Sequence, residues 1–126
     1  MTAVLLALSF LESWSVQECG PDMVCGVGAR GELGPFQIHP SVWEGRGCEG
    51  DPLKWKDSAA CAMGYLENLK GRQMCEPSTA WGLAAYNAGI GWLLDFQREY
   101  GCDLRMLPDR IYWYVVIGIP EPPNAN

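Results

Sequence analysis

The stretch Ser78-Thr79-Ala80-Trp81-Gly82-Leu83-Ala84-Ala85-Tyr86-Asn87-Ala88-Gly89 carries a helix together with both of its ends. Ser78 and Thr79, just after Pro77, offer hydroxyl oxygens to the first backbone N–H groups, which have no partner inside a helix. Trp81, Leu83 and Ala84 give the body of the helix an apolar face. The run Asn87-Ala88-Gly89 stops it, because glycine enters the left-handed region without a Cβ penalty.

Working outward from this segment, the same rules predict helices on both sides. Downstream, one runs over residues 91–100. Another starts at Pro108, a favoured first-turn residue, and passes through Tyr112 and Val115 to Gly118. The tail, residues 119–126, carries three prolines and cannot continue it. Upstream, a helix over residues 56–69 has Ala60, Met63, Tyr65, Leu66 and Leu69 as its apolar set and Gly71 as its expected C-cap. A short helix after Pro40 carries Val42 and Trp43, and the Gly- and acid-rich residues 45–52 break it. Near the N-terminus, Val4, Leu5, Leu8 and Leu11 or Glu12 recur at helical spacing over residues 2–17, with Thr2 as N-cap. Residues 18–34 hold Gly, Pro, Asp and two Cys, and read as a loop with at most a small β-hairpin.

The expected fold is therefore mainly α, of the α+β kind, with helices flanked by a small loop or hairpin lobe. With 126 residues, one hydrophobic core suffices, so residues 1–118 are expected to form one domain followed by the Pro-rich tail 119–126. A 48% hydrophobic content with six Trp argues for an ordered globule. A net charge of −6 argues against nucleic acid, whose phosphates are held by clustered Lys and Arg. The apolar run at residues 3–10 is too short to span a bilayer.

Cys19, Cys25, Cys48, Cys61, Cys75 and Cys102 are dense enough to indicate maturation outside the cytoplasm, by secretion, in a periplasm or on a virion. Six cysteines allow fifteen connectivities that sequence does not separate. The expected set is Cys19 with Cys25, closing a small loop, Cys48 with Cys61, and Cys75 with Cys102. One His and no pair of C-x-x-C motifs argue against a metal site.

Among chemistry-bearing residues, Glu12 stands at the end of an apolar helix between Leu11 and Ser13-Trp14. Burying a carboxyl among apolar neighbours disfavours its charged form, which is what a general acid for glycoside cleavage requires. On composition alone an exposed surface glutamate explains it equally well. The order of motifs weighs against that. Leu11-Glu12-Ser13-Trp14, then Gly28-Ala29-Arg30-Gly31 leading to Leu33-Gly34-Pro35-Phe36-Gln37-Ile38-His39-Pro40, then Ala84-Ala85-Tyr86-Asn87-Ala88-Gly89 resembles the soluble lytic transglycosylase domain family. That family shows an E-S dipeptide, a G-A-x-G-L-M-Q-I-x-P loop and an A-Y-N-A-G motif in this order.

The resemblance implies a lysozyme-like fold and cleavage of the β-1,4 bond between N-acetylmuramic acid and N-acetylglucosamine in peptidoglycan, by a monomer with no cofactor. It assigns Glu12 as the catalytic acid, Gln37 with Phe36 to the sugar-binding loop, and Tyr86 and Asn87 to the cleft. A core aromatic and a helix C-cap are the plain structural alternatives for Tyr86 and Asn87. The chain also departs from the pattern. Residues 12–28 are longer than usual and hold Cys19 and Cys25, Pro35-Phe36 replaces Leu-Met, and Glu32 is an extra residue between Gly31 and Leu33. Near the C-terminus, Arg110-Ile111-Tyr112-Trp113-Tyr114-Val115 stands where E-T-x-x-Y-V is common. Tyr114 matches the terminal tyrosine and serves either the cleft or packing.

The implied mechanism uses one carboxyl group and leaves a 1,6-anhydromuramic end. Glu32 and Asp22 are either solvated loop charges or a second carboxylate that activates water, which makes the enzyme a muramidase. His39 either rims the cleft or caps the next helix. Two other classes remain: a glycan-binding or virion structural module, and a disulfide-rich effector that recognises a protein through exposed aromatics. Phage endolysin, virion-associated enzyme and bacterial remodelling enzyme all fit. The lack of a wall-binding repeat in these residues favours a compact lysis enzyme.

Overall fold

The computed structural model describes residues 30–118 together with Val4, Ala7, Leu8 and Glu12. These residues are mainly helical: α1 (Pro40–Gly45), α2 (Trp55–Arg72), α3 (Thr79–Ala88), α4 (Ile90–Tyr100), a 3-10 turn (Leu104–Met106) and α5 (Asp109–Gly118). Contacts divide the chain into two compact units, Met1–Tyr65 and Leu66–Asn126, with the boundary inside α2. None of the described helices is long and apolar enough to cross a membrane.

In the first unit, Val4, Ala7, Leu8 and Glu12 are helical. Val4 and Leu8 are buried, Leu8 completely. Between residues 33 and 38 the chain doubles back. Leu33 and Ile38 exchange N–H···O bonds of 2.9 and 3.1 Å as an antiparallel bridge, and Gln37 N donates to Gly34 O at 3.1 Å to close the turn. Gly34 sits at φ 74°, and a Cβ there would strike the Pro52 carbonyl oxygen, so a side chain is excluded by both backbone and packing.

The α1 helix is capped by His39, whose Nδ1 accepts from Ser41 N at 3.2 Å. The start of α2 is held by a carboxylate pair. Asp57 Oδ2 accepts from Asp51 N, and Asp51 Oδ1 accepts from Leu53 N, both at 2.9 Å. The Cys48–Cys61 disulfide ties the segment after α1 to α2. The inward stripe of α2 is Ser58, Ala59, Ala62, Leu66 and Leu69, with Cys61 beside it. Ala60, expected on the apolar face, is exposed, and Met63 and Tyr65 are half-buried. Small residues carry the buried face here, so hydrophobicity alone misplaced the stripe.

Gly71, expected as the C-cap of α2, lies inside the helix. The end is closed instead by Gln73, whose Nε2 donates to the Lys70 carbonyl at 3.0 Å. A side-chain amide satisfies the end carbonyl that a left-handed glycine would otherwise leave to its own backbone.

The second unit is organised around α3, which packs against both α4 and α5. Six consecutive residues, Ala80 to Ala85, are buried, as befits a helix covered on several sides. Its ends are as the sequence predicts. Ser78 Oγ accepts from Trp81 N at 3.2 Å, and Gly89, at φ 94°, donates to Ala85 O at 2.8 Å. On α5 the buried set Ile111, Tyr114, Val115 and Gly118 follows the three-four spacing of one helix face. Gly118 brings that face close to α3, since a Cβ there would lie 2.8 Å from Leu83 Cδ1. The Pro108 carbonyl accepts the first two bonds of α5, from Ile111 N and Tyr112 N, both at 2.9 Å. The Cys75–Cys102 disulfide closes this unit's longest loop. Two expected disulfides are thus present; Cys19 and Cys25, like the predicted hairpin over 18–29 and the tail 119–126, lie outside the described residues.

Candidate active site

Glu12 lies four residues beyond Leu8 and eight beyond Val4, so the three share one stripe of a helix. Its apolar predecessors are buried and Glu12 itself is half-buried. The helix thus carries its carboxyl to a position at the border of solvent, on the side that faces the unit's interior.

Glu32, Phe36 and Gln37 come together in the turn closed by Leu33 and Ile38. Gln37 adopts φ 49° and is the one non-glycine residue at positive φ among those described. Its Nε2 donates to Gly34 O at 2.8 Å, so one carbonyl accepts both the backbone and the side-chain N–H of the same residue. A β-unbranched polar residue held in this sparsely populated region costs about 1 kcal/mol or more and marks a position that the surroundings over-determine. Phe36, expected to touch the sugar, has no exposed surface. Its ring instead packs on Trp55, with centroids 5.4 Å apart and planes tilted by 55°. The tight Gly34-Pro35 bend turns this side chain into the core, a consequence of turn geometry that motif position does not reveal.

Glu32 is half-buried, and its Oε1 is shielded from solvent without a hydrogen-bond partner. Asp22 lies outside the described residues.

In the second unit, Tyr86 and Asn87 are half-buried in the last turn of α3. Asn87 is not the C-cap; Gly89 is. Asn87 stands four residues after Leu83, on the face that approaches α5, and its Oδ1 is buried without a partner. Tyr114 stands four residues before Gly118, on the α5 face that approaches α3, and is 8% exposed. An unpaired amide carbonyl of this kind is suited to a ligand N–H.

The cap role of His39 accounts for its position without catalysis. Among the described residues no cluster of His, Cys, Asp and Glu could hold a metal ion. Two features escaped the sequence reading altogether. One is the orphaned carboxylate oxygen of Glu32. The other is a stack of rings along α4, where Trp92 lies on Phe96 at 5.4 Å and Phe96 meets Tyr100 at 5.1 Å. The four-residue spacing of these three aromatics was the available signal for the stack. No family model, curated protein or solved structure matches the chain.

Proposed function

We propose that this protein cleaves the β-1,4 bond between N-acetylmuramic acid and N-acetylglucosamine in peptidoglycan, by lytic transglycosylation with Glu12 as the proton donor. The observation that carries the reading is the half-buried placement of Glu12 at the end of a stripe of buried apolar residues. The ordered resemblance of its three motifs to the soluble lytic transglycosylase domain family supports it further. In this mechanism Glu12 protonates the departing glycosidic oxygen and then takes the proton of the muramic C6 hydroxyl as that oxygen bonds to C1. No water is consumed, and the product ends in a 1,6-anhydro ring. Asn87 Oδ1 accepts from an acetamido N–H, which satisfies a carbonyl otherwise left buried and unpaired. Gln37 and Tyr86 bind the strand. The disulfides Cys48–Cys61 and Cys75–Cys102 suit work outside the cytoplasm.

A second reading, recognition of a protein partner, is favoured by exposed apolar side chains: Trp92 and Tyr100 on α4, Trp113 and Ile117 on α5. Digestion of purified peptidoglycan by the wild type and Glu12→Gln, with fragments identified by mass spectrometry, separates the two. Anhydro-muropeptides that fall at least about a hundredfold in the mutant support the enzyme. A wild type that releases nothing leaves the recognition reading.

A further inference from the structure

Glu32 Oε1 is excluded from solvent and accepts no hydrogen bond. The turn beside it is rich in donors, and each is committed elsewhere. Leu33 N goes to Ile38 O, Ile38 N to Leu33 O, and Gln37 N and Nε2 both to Gly34 O. The loop could have satisfied the carboxylate and does not. Leaving a buried carboxylate oxygen unpaired is costly, and such groups are retained where a ligand or reactant supplies the missing donor.

We infer that Glu32 is a second catalytic carboxylate, which activates a water molecule and gives the enzyme a hydrolytic branch beside transglycosylation. This rests on the proposed glycan cleavage by Glu12. On the hydrolytic branch the C1–O4 bond breaks as Glu12 delivers its proton to O4. The water oxygen bonds to C1, and the water proton passes to Glu32. The muramic residue then leaves with a reducing end in place of the anhydro ring. Charge and atoms balance with water as the sole co-reactant.

The test is digestion of peptidoglycan in oxygen-18-labelled water by the wild type, Glu32→Gln and Glu32→Asp, with circular dichroism to establish that each variant folds. The expected wild-type products include muropeptides with label at the reducing C1 as well as anhydro ends. Glu32→Gln is expected to lower the ratio of labelled reducing ends to anhydro ends at least tenfold, and Glu32→Asp to lower it less. If the wild type gives anhydro ends alone, or if the ratio is the same in a folded Glu32→Gln, the role of Glu32 is overturned while glycan cleavage by Glu12 stands. If the wild type releases no fragments of either kind, both fall.

Discussion

Gln97 donates its side-chain Nε2 to Gln73 Oε1 over 2.8 Å, joining two buried amides 24 positions apart. Around this bond every polar atom of both side chains is used. Gln73 Nε2 donates to the carbonyls of Lys70 and Cys75, its Oε1 also accepts from Cys75 N, and Gln97 Oε1 accepts from Met74 N. The amide pair sets the path of the chain between α2 and α3, where Cys75 is fixed.

Gln97→Leu leaves the Met74 N–H without its acceptor and strips one donor from Gln73. The expected loss is about 1–3 kcal/mol of unfolding free energy, read from the midpoint of a urea titration. A change below about 0.5 kcal/mol would mean that the network is replaceable by apolar packing.

Gly31 and Gly34 form a matched pair of probes. Both have positive φ, 84° and 74°, but a Cβ at Gly31 meets nothing whereas one at Gly34 strikes the Pro52 carbonyl. Gly31→Ala should cost about 1 kcal/mol of backbone strain alone. Gly34→Ala should cost about 2 kcal/mol or more beyond that, because overpacking against backbone has no cheap relief. Equal thermal shifts for the two would show that the approach of Pro52 is not a constraint.

Gly118→Ala pushes a methyl into Leu83, and Leu83→Ala removes the obstacle. Leu83 is fully buried, so its truncation alone should cost about 2–5 kcal/mol. The double mutant should be less destabilised than the sum of the singles by about 1 kcal/mol, a coupling that a double-mutant cycle measures. Simple additivity would place the contact elsewhere.

Asp103 caps the 3-10 turn by accepting from Arg105 N and pairs with the Arg105 guanidinium, at 3.0 Å in each case. The side-chain bond from Arg105 holds the carboxyl below the ordinary aspartate range, with the backbone bond adding to it. A depressed carboxyl stabilises the fold above its unfolded pKa and loses that contribution as pH falls through the lower, folded value. NMR titration of the Asp103 side chain should therefore give a midpoint below the ordinary aspartate value of about 3.9, returning towards it in Arg105→Ala. An ordinary midpoint in the wild type would mean that the pair does not persist in solution.

Local rules carried most of the helical architecture. Ser78, Gly89 and Pro108 mark their helix ends in sequence because capping depends on residues within one turn of each other. Cys48 and Cys61, and Cys75 and Cys102, were named as pairs in advance. What sequence did not show depends on depth or on distant partners. Gln73 replaces Gly71 as the closing group of α2 because its amide reaches a carbonyl three residues back while also meeting Gln97. Phe36 sits in a motif assigned to sugar, yet the bend at Gly34 buries it against Trp55. For the candidate site, Glu12, Gln37, Tyr86 and Asn87 were legible as residue types in order. The unpaired oxygens of Glu32 and Asn87 were not, since an orphaned acceptor is defined by where every neighbouring donor points.

The two disulfides alter what one broken peptide bond does to the molecule. Each closes a covalent ring, one over residues 48–61 and one over 75–102, so a protease that nicks inside either ring leaves a single molecule until a reductant also arrives. Between the rings only residues 62–74 remain where one cut severs the chain, and α2 runs through Arg72, covering nearly all of them with helix. Proteases favour exposed loop tips over hydrogen-bonded helix, so the one span where a nick would be final is the span least open to it. For a protein acting among the proteases of a bacterial surroundings, durability is built into connectivity as well as into stability.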